Sequence, residues 1–325
     1  MESLEKLPNI ARLSERVIRV LGLNPSKFTL QGTNTYLIGK GPKKVLLDTG
    51  EGVAEYIPLL QKALDQDHGG ATISKVICSH WHHDHVGGVD DVMKFLASRN
   101  IHLNNSSATT ADAGTSGSNS VLPGVFKFPN PEKDDPETGF QGIADEQEIK
   151  VDDETTLVTL HTPGHTTDHC SFWLKEENTL FTADCVLGQG TAVFEDLSSY
   201  IKSLERQLTI GGEPSSYKIF PGHGPIIEDG PAKIREYIKH RLDRENQIVG
   251  VLTSDSTNSI TSGKTAMGIV KVIYAAYPES LHVPAEHQVL LHLKKLEQDG
   301  KVKRVIPAEE ISDVIWEPTQ AQANL

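Results

Sequence analysis

The feature that most constrains this chain is a short run of histidines and one aspartate between an apolar segment and a glycine pair. Residues 79–88 read Ser-His-Trp-His-His-Asp-His-Val-Gly-Gly, and the apolar, β-prone residues 76–78 precede them. Imidazole nitrogens and carboxylate oxygens are ligands that zinc prefers. Because such a run lies on a strand-to-helix loop, where α/β proteins place their sites, it predicts a metal site and not a solvated histidine tract.

The spacing within this run divides the ligands between two ions. His80 and His82 are two residues apart, so an extended or tightly turned backbone can direct both toward one ion. Asp84 and His85 follow at once, and we expect them to point toward a second ion. His83 lies between ligands and is expected to point away from both.

Three later strand ends carry further residues that can bind metal, each followed closely by glycine or turn residues. His165 ends the Thr-Pro-Gly-His sequence of 162–165, Asp184 follows the apolar segment 179–183, and His223 lies in the Pro-Gly-His-Gly sequence of 221–224. A site built on the end of a sheet has this repeated layout. The predicted ligands are His80, His82 and His165 on one ion, Asp84, His85 and His223 on the other, and Asp184 as a bridge.

Two zinc ions held by these seven residues would create a nucleophile between them. Ions about 3.5–4 Å apart lower the pKa of a shared water toward neutrality and polarise a carbonyl or phosphoryl oxygen. We expect the bridging hydroxide to attack the substrate. Asp84 is placed to accept or relay the proton of this hydroxide as well as to bind metal.

Composition bounds the class of protein. The chain has 325 residues, which suffices for a sizeable core and suggests about two domains, and its net charge of −13 argues against a broad basic surface for nucleic acid. Three cysteines without CxxC spacing fit reduced, buried thiols. The sequence has no apolar run of membrane-spanning length and no targeting segment, so we expect a cytoplasmic protein with no membrane partner.

The chain is expected to divide near residue 230. Residues 1–230 form the predicted catalytic domain, in which the polar segment 104–142 is a flexible insertion, either a solvated excursion or a lid over the site. Residues 231–253 form a connecting helix, and 254–325 have the outline of a winged helix. That module either binds nucleic acid or packs on the catalytic domain as a lid or a homo-oligomer contact. Its basic cluster comprises Lys294, Lys295, Lys301, Lys303 and Arg304.

These motifs resemble those of metallo-β-lactamase-fold hydrolases. The resemblance rests on His-x-His-x-Asp-His at 80–85, Thr-Pro-Gly-His at 162–165, Asp184, and Pro-Gly-His-Gly at 221–224. Segments 29–36, 48–51, 193–197 and 290–297 resemble the branch named for beta-lactamase-like protein 2, in the glyoxalase II-like group. The likeness covers nearly the whole chain except 104–142. Ala183 stands where this branch usually has glycine before the bridging aspartate.

The resemblance implies an α/β fold, an αββα metallo-β-lactamase sandwich with a binuclear zinc site at one edge and a small C-terminal winged-helix-like domain. Fungal members of the branch are thioesterases that release polyketides from an acyl carrier protein, and the animal member is an endoribonuclease on single-stranded RNA. We therefore expect a zinc-dependent hydrolase of an acyl (thio)ester, free or bound to a carrier protein. Zinc-dependent cleavage of single-stranded RNA is the alternative.

Three more polar residues are candidates for roles around the ligands. Asp48 ends the apolar segment 45–47, and His169 follows four residues after His165. Both are predicted to orient ligand histidines. Asn34 lies on a predicted strand that is close to the site in such folds, where it either orients the substrate or satisfies a turn.

Overall fold

The computed structural model describes residues 4–107, 122–212, 216–254, 263–306 and 310–319. The strands in these ranges are β1 (Ile10–Arg12), β2 (Val17–Leu21), β3 (Asn34–Ile38), β4 (Lys43–Leu47), β5 (Thr72–Cys78), β6 (Gly124–Lys127), β7 (Gln141–Gly142), β8 (Glu148–Asp152), β9 (Thr155–His161), β10 (Cys170–Leu174), β11 (Thr179–Ala183), β12 (Lys218–Pro221), β13 (Val302–Ile306) and β14 (Ile315–Pro318). The helices are α1 (Tyr56–Gln66), α2 (His83–Val86), α3 (Val89–Ser107), α4 (Leu197–Leu208), α5 (Gly230–Ser254), α6 (Ala266–Ile273) and α7 (His282–Gln298).

Two sheets make up the body of the molecule. The first has the order β1-β2-β3-β4-β5-β6-β7, and the second has the order β12-β11-β10-β9-β8. Strand β4 pairs in parallel with β5, and β11 pairs in parallel with β12. Parallel neighbours end at the same edge of a sheet, so the residues that follow each pair are brought close together.

Side-chain alternation along the strands explains why both sheets are covered on two faces. On β2, Val17 packs between the sheets, whereas Ile18 packs against α1 and α3. On β10, Phe172 packs between the sheets, whereas Trp173 packs against α4 and α5. Successive residues of a strand point to opposite faces, so strands that are apolar on both faces need a layer on each side. The result is the predicted αββα sandwich, which the structure confirms.

The segment 104–142 is partly regular structure. Helix α3 continues through residues 104–107, residues 108–121 lie outside the described ranges, and β6 pairs in parallel with β5. Val125 on β6 is buried against α3, and Lys127 is buried between Asp134 and Asp168, 2.6 Å from a carboxylate oxygen of each. Residues 124–127 therefore belong to the sheet, unlike the insertion predicted over 104–142, because they pair with β5 and their alternate residues Val125 and Lys127 are buried.

The C-terminal part packs around the end of helix α5. Ile234 and Tyr237, in its first half, lie in the core beneath the second sheet. Ile248 and Leu252, in its second half, pack with α6, α7 and the wholly buried Trp316 of β14. Helices followed by the β13–β14 hairpin give the expected winged-helix outline. The predicted linker at 254–262 lies almost entirely outside the described residues.

Two general expectations concern membranes and thiols. Among the helices of the described residues, none combines the length and the apolar character needed to cross a lipid bilayer. Cys78, Cys170 and Cys185 are buried free thiols.

Candidate metal centre

The predicted ligands lie on loops that follow strands of both sheets. Strand β5 runs into a short loop and then α2, while the loops after β9, β11 and β12 face them from the second sheet. In chain order, these loops and α2 carry His80, His82, Asp84, His85, His165, Asp184 and His223. His80 and His223, which are 143 positions apart in the chain (223 − 80 = 143), thus meet at one edge of the sandwich.

Three imidazoles and one carboxylate form the first group of candidate ligands. His80 Nε2 lies 3.0 Å from His82 Nδ1, and His165 Nε2 lies 3.2 Å and 3.0 Å from these two atoms. Asp184 Oδ2 lies 3.7 Å from His165 Nε2. The four donor atoms are all within 4.8 Å of one another, so one cation can contact all of them.

Two imidazoles and two carboxylates form the second group. Asp84 Oδ2 lies 3.1 Å from His223 Nε2 and 3.3 Å from His85 Nε2. Asp184 Oδ1 lies 3.3 Å from each of the same two nitrogens. Asp184 thus turns one oxygen toward each group and stands between them.

Asp48 and Ser79 determine how two of the imidazoles are oriented. Asp48 follows β4 and accepts hydrogen bonds from Ser79 N at 2.7 Å, from Ser79 Oγ at 3.0 Å and from His85 Nδ1 at 2.8 Å. Because the Ser79 hydroxyl donates its one proton to Asp48, its oxygen accepts from His80 Nδ1 at 3.0 Å. His80 and His85 therefore carry a proton on Nδ1 and turn Nε2 toward the centre.

Backbone carbonyl groups face the Nδ1 atoms of two other imidazoles. His165 Nδ1 donates to Val193 O at 2.9 Å, and His223 Nδ1 lies 3.4 Å from Gly32 O. A proton held on Nδ1 leaves the Nε2 lone pair free to bind a metal. These four outer contacts thus leave four of the five candidate ligand histidines with Nε2 as the coordinating atom.

Burial and charge set the protonation of the group. Burial, reinforced by neighbouring imidazoles, lowers the pKa of His80 well below its ordinary value and that of His82 to about 4. Both imidazoles are therefore neutral at physiological pH, as coordination requires. Burial disfavours a charge on Asp84 as well, but the adjacent His85 and His223 outweigh it and hold the pKa of the Asp84 carboxyl below its ordinary value. Burial also opposes a charge on His85 and His223, but the carboxylates in turn outweigh it and raise the pKa of both, so these two imidazoles would release a proton from Nε2 on binding metal.

The residues fit metal ions. Asp184 Oδ1 and His85 Nε2 are buried, and neither has a hydrogen-bond partner among the described residues. Buried polar atoms normally have partners, and leaving them without one costs free energy. A divalent cation would satisfy both atoms, and the mixture of imidazole and carboxylate donors suits zinc.

A cavity of about 410 Å³, which we call the metal cavity, opens above the two groups. Its walls are Lys27, Phe28, Leu30, Leu187, Gln189, Gly190, Thr191, Ala192 and Val193, and its floor includes His82, Asp84, His165, Asp184 and His223. Phe28 is 72% exposed and Val193 is 50% exposed, although both are large apolar side chains. The cavity therefore combines a polar, metal-competent floor with an open apolar rim.

Two other histidines near the motifs lie outside the ligand groups. The ring of His169 is centred 5.3 Å from that of His80, and its Nδ1 is hydrogen-bonded to Thr162 Oγ1 at 2.9 Å. It belongs to neither group of donor atoms. His83 is exposed and does not line the metal cavity.

Asn34 contacts the backbone around a ligand. Its Nδ2 donates to Pro221 O and Gly224 O, both at 2.9 Å, and its backbone N donates to Gly222 O at 2.7 Å. Two roles were expected for Asn34. These contacts correspond to the second role, because they satisfy backbone carbonyl groups of the turn that carries His223.

Two features of the site were missed by reasoning from the sequence. Ser79 was not singled out, although its position directly before His80 was a usable signal. The buried Lys127 lies 2.6 Å from Asp168 Oδ2, and Asp168 Oδ1 accepts from Thr166 Oγ1 at 2.8 Å. This ion pair supports the loop that carries His165, and the sequence held no pattern that connects partners 41 residues apart.

Comparison with known proteins identifies the family. The sequence model of the metallo-beta-lactamase superfamily matches residues 28–223, a range that contains all seven candidate ligands. The chain belongs to the metallo-β-lactamase superfamily. The model of the beta-lactamase associated winged helix domain matches residues 265–308. Both the resemblance inferred from the motifs and the C-terminal winged helix are thereby confirmed, and the chain is a hydrolase of this superfamily.

Relatives within the metallo-β-lactamase superfamily span nearly the whole chain. A beta-lactamase-like protein 2 homolog of Drosophila melanogaster is 41% identical and covers 97% of this chain and 99% of its own. An atrochrysone carboxyl ACP thioesterase of Aspergillus novofumigatus is 35% identical and covers 92% of this chain and 84% of its own. A beta-lactamase domain protein from Burkholderia ambifaria shares the fold with a TM-score of 0.67 at 16% identity, covering 97% and 96% of the two chains.

Proposed function

We propose that this chain is a binuclear zinc hydrolase that cleaves an acyl thioester presented by an acyl carrier protein. The observation that carries the proposal is the arrangement of Asp184, which turns Oδ1 toward one group of candidate ligands and Oδ2 toward the other. Two zinc ions bound by these groups would supply Lewis acidity and lower the pKa of a water molecule. The thioesterases among the relatives support the acyl substrate.

The residues of the chain have separate tasks in this proposal. His80, His82 and His165 would hold one ion, and His85 and His223 would hold the other. The outer contacts of His80, His85, His165 and His223 keep these four rings in place. Asp84 would bind the second ion, and its carboxylate, which is 22% exposed and lines the metal cavity, is placed to accept a proton from water. Asp48 orients two of the rings.

The rim of the metal cavity suits an apolar acyl chain. Phe28, Leu30, Leu187 and Val193 line it beside the ligand groups. Apolar surface that remains exposed in the free protein is stabilised when a ligand covers it. Lys27, which also lines the cavity, is the cation of this rim. The acyl group would rest against this wall with its carbonyl carbon directed toward the floor.

The contacts of the winged helix weigh against the RNA alternative. Lys295 pairs with Glu245 at 2.9 Å and with Asp299 at 2.8 Å, and Arg304 pairs with Glu297 at 2.7 Å. Cations that already face carboxylates offer little net charge to a phosphate backbone. Lys301 and Lys303 also lie within 4 Å of carboxylates, so among the described residues Lys294 is the one member of the basic cluster with no carboxylate partner.

The test compares two substrates on one preparation. Zinc-loaded protein is given an acyl thioester and, separately, a labelled single-stranded RNA, together with the variants Asp84→Ala and Asp90→Asn. We expect thioester hydrolysis that Asp84→Ala abolishes, whereas the exposed Asp90 serves as a matched control whose loss changes nothing. Metal analysis should find two zinc ions per chain. RNA cleavage that depends on Asp84, without thioester hydrolysis, would overturn the proposal.

A further inference from the structure

A second cavity adjoins the metal cavity. It has a volume of about 290 Å³ and lies between helices α5 and α7. The segment Thr191–Ala192–Val193 lines both cavities, so a single stretch of backbone separates them. Val193 is also the residue whose carbonyl group accepts from His165 Nδ1. A molecule bound in the second cavity would therefore lie next to the residues of the proposed metal site.

Arginine and histidine supply four of the eleven residues that line this second cavity. Its charged or titratable members are His240, Arg241, Arg244, Tyr274 and His292, and its lining contains no carboxylate. The chain as a whole has a net charge of −13, so this concentration of positive charge runs against its overall balance. We call this site the arginine cavity.

Neither arginine has an acidic partner among the described residues. Arg241 is 6% exposed, and its Nη2 donates to Ala192 O at 2.6 Å, while its Nε has no hydrogen-bond partner in the described part of the chain. The guanidinium carbon of Arg244 lies 4.6 Å from the ring centre of Tyr274. Buried or half-buried cations normally pair with carboxylates or other anions, because desolvation is otherwise not compensated. The arginine cavity departs from that pattern.

Two imidazoles in the cavity respond to this charge. His292 is 2% exposed, and its Nδ1 has no hydrogen-bond partner within the residues that the structure describes. Burial and the positive charges of Arg241 and Arg244 lower the pKa of His292 to about 3, with Lys295 and His240 contributing in the same direction. Burial and the same two arginines also lower the pKa of His240, although Asp243 and Glu236 oppose them. An anion in the cavity would relieve this repulsion.

We propose that the arginine cavity binds the phosphate group of a phosphopantetheine arm while the acyl thioester at the other end of the arm occupies the metal cavity. Guanidinium groups donate in a planar fork that matches phosphate oxygens. Arg244 and His240 reach the phosphate from the open side, and Arg241 supplies charge from the buried side. This inference rests on the proposed thioesterase function and adds the part of the substrate that is recognised away from the reacting carbon.

The shape of the site favours such an arm over a nucleic-acid strand. Sites for single strands combine an extended groove with open aromatic faces on which bases stack. Here the guanidinium groups already lie over the aromatic rings, with Arg244 over Tyr274 and Arg241 4.8 Å from the centre of the Phe194 ring. The cavity itself is bounded on two sides by helices and offers room for a compact group.

The test uses one acyl group on two carriers, phosphopantetheine and pantetheine without phosphate. The full-length zinc-loaded protein is compared with Arg244→Gln, Arg244→Lys and the control Arg235→Gln, an exposed arginine on the same helix that does not line the cavity. Wild type should prefer the phosphorylated thioester by about tenfold or more in kcat/KM, in line with charge-assisted hydrogen bonds. Arg244→Gln should abolish this preference through KM with kcat unchanged, Arg244→Lys should retain part of it, and Arg235→Gln should retain all of it.

Calorimetric binding of phosphopantetheine separates this inference from the proposed function. If neither thioester is hydrolysed but wild type binds phosphopantetheine and Arg244→Gln does not, the thioesterase proposal fails and the phosphate site stands. Equal turnover of both carriers by wild type would overturn the inference. The inference would also be overturned if inorganic phosphate bound as tightly as phosphopantetheine. It would be overturned as well if Arg244→Gln lost RNA cleavage and no other property. Should Arg244→Gln unfold, the exposed His240→Gln variant provides the same comparison.

Discussion

The substitution Asp48→Asn probes how the outer hydrogen bonds hold the metal ligands. Asp48 Oδ1 accepts from Ser79 N, while Oδ2 accepts from both Ser79 Oγ and His85 Nδ1. An asparagine has one acceptor oxygen and one donor amide at these two positions. In either orientation of the asparagine side chain, the amide NH₂ group faces a group that donates a hydrogen bond to Asp48 in the wild-type protein. Asp48 also has a positive φ of 61°, a conformation that asparagine tolerates better than alanine does.

The magnitude follows from the less costly of the two orientations. With the amide nitrogen at the Oδ2 position, it donates to His85 Nδ1 and moves the ring proton to Nε2. That nitrogen is the atom that faces Asp84 and Asp184, so it loses the lone pair with which it would bind zinc. Loss of an outer partner of a ligand histidine costs about 10- to 100-fold in metal affinity, or about 1.4–2.7 kcal/mol.

The assay is a chelator-competition titration that measures the zinc dissociation constant. Asp152→Asn is the matched control. Asp152, at the end of β8, also accepts backbone hydrogen bonds, but from Lys40 and Gly41 in the turn before β4, at the opposite end of β4 from Asp48. We expect weaker zinc binding for Asp48→Asn and none of that loss for the control. A folded Asp48→Asn protein with zinc affinity within about twofold of wild type would refute the tautomer reasoning.

Three further predictions concern folding and the loops beneath the site. Lys127→Met should lower the free energy of unfolding by about 3–5 kcal/mol, because it leaves the buried Asp168 without its cation. Denaturant titrations measure this loss, and adding Asp168→Asn to Lys127→Met should recover part of it. Burial disfavours a charge on Asp67, but Lys44 at 2.7 Å outweighs this effect and lowers the Asp67 pKa. The ion pair between Lys44 and Asp67 therefore stabilises the fold at and above the ordinary aspartate pKa of about 3.9. Its contribution should disappear as pH falls through the lowered pKa, and Asp67→Asn should flatten that part of the stability profile; an unchanged profile would contradict this. Gly164→Ala should lower both the Tm and the rate of thioester hydrolysis. The added Cβ would lie 2.4 Å from backbone atoms of α4, and Gly164 has a φ of +129°, which alanine rarely adopts. A variant with the Tm of wild type would argue against this close approach.

The layered fold was predictable through the family resemblance of the motifs, and local patterns agree with it. Residues 45–47 and 76–78 are apolar on consecutive positions, which is what strands buried on both faces require. The strand β6 was harder to predict. Its four residues lie between polar segments, and Lys127 reads as a surface residue until its partners Asp134 and Asp168 are known. Burial of a lysine depends on carboxylates that come from other parts of the chain.

The candidate ligands were predictable because each stands at the end of an apolar segment in a recognisable motif. Their outer partners were less so. Asp48 was singled out as an orienting residue, but Ser79 was not, and its dual role becomes visible only from the directions of its hydrogen bonds. Asn34 contacts the turn around Gly222 rather than the metal cavity, a distinction that depends on where its amide points.

The sequence by itself determined the family, the layered architecture and the identity of the candidate ligands, since these depend on residue types in short, ordered segments. Tertiary structure alone decided that the Ser79 hydroxyl links Asp48 to His80, that Lys127 is buried, and that Arg241 and Arg244 line one cavity. The physical reason is that hydrogen-bond direction, burial and unbalanced charge arise between residues distant in the chain. They exist only once the sheets and helices have packed.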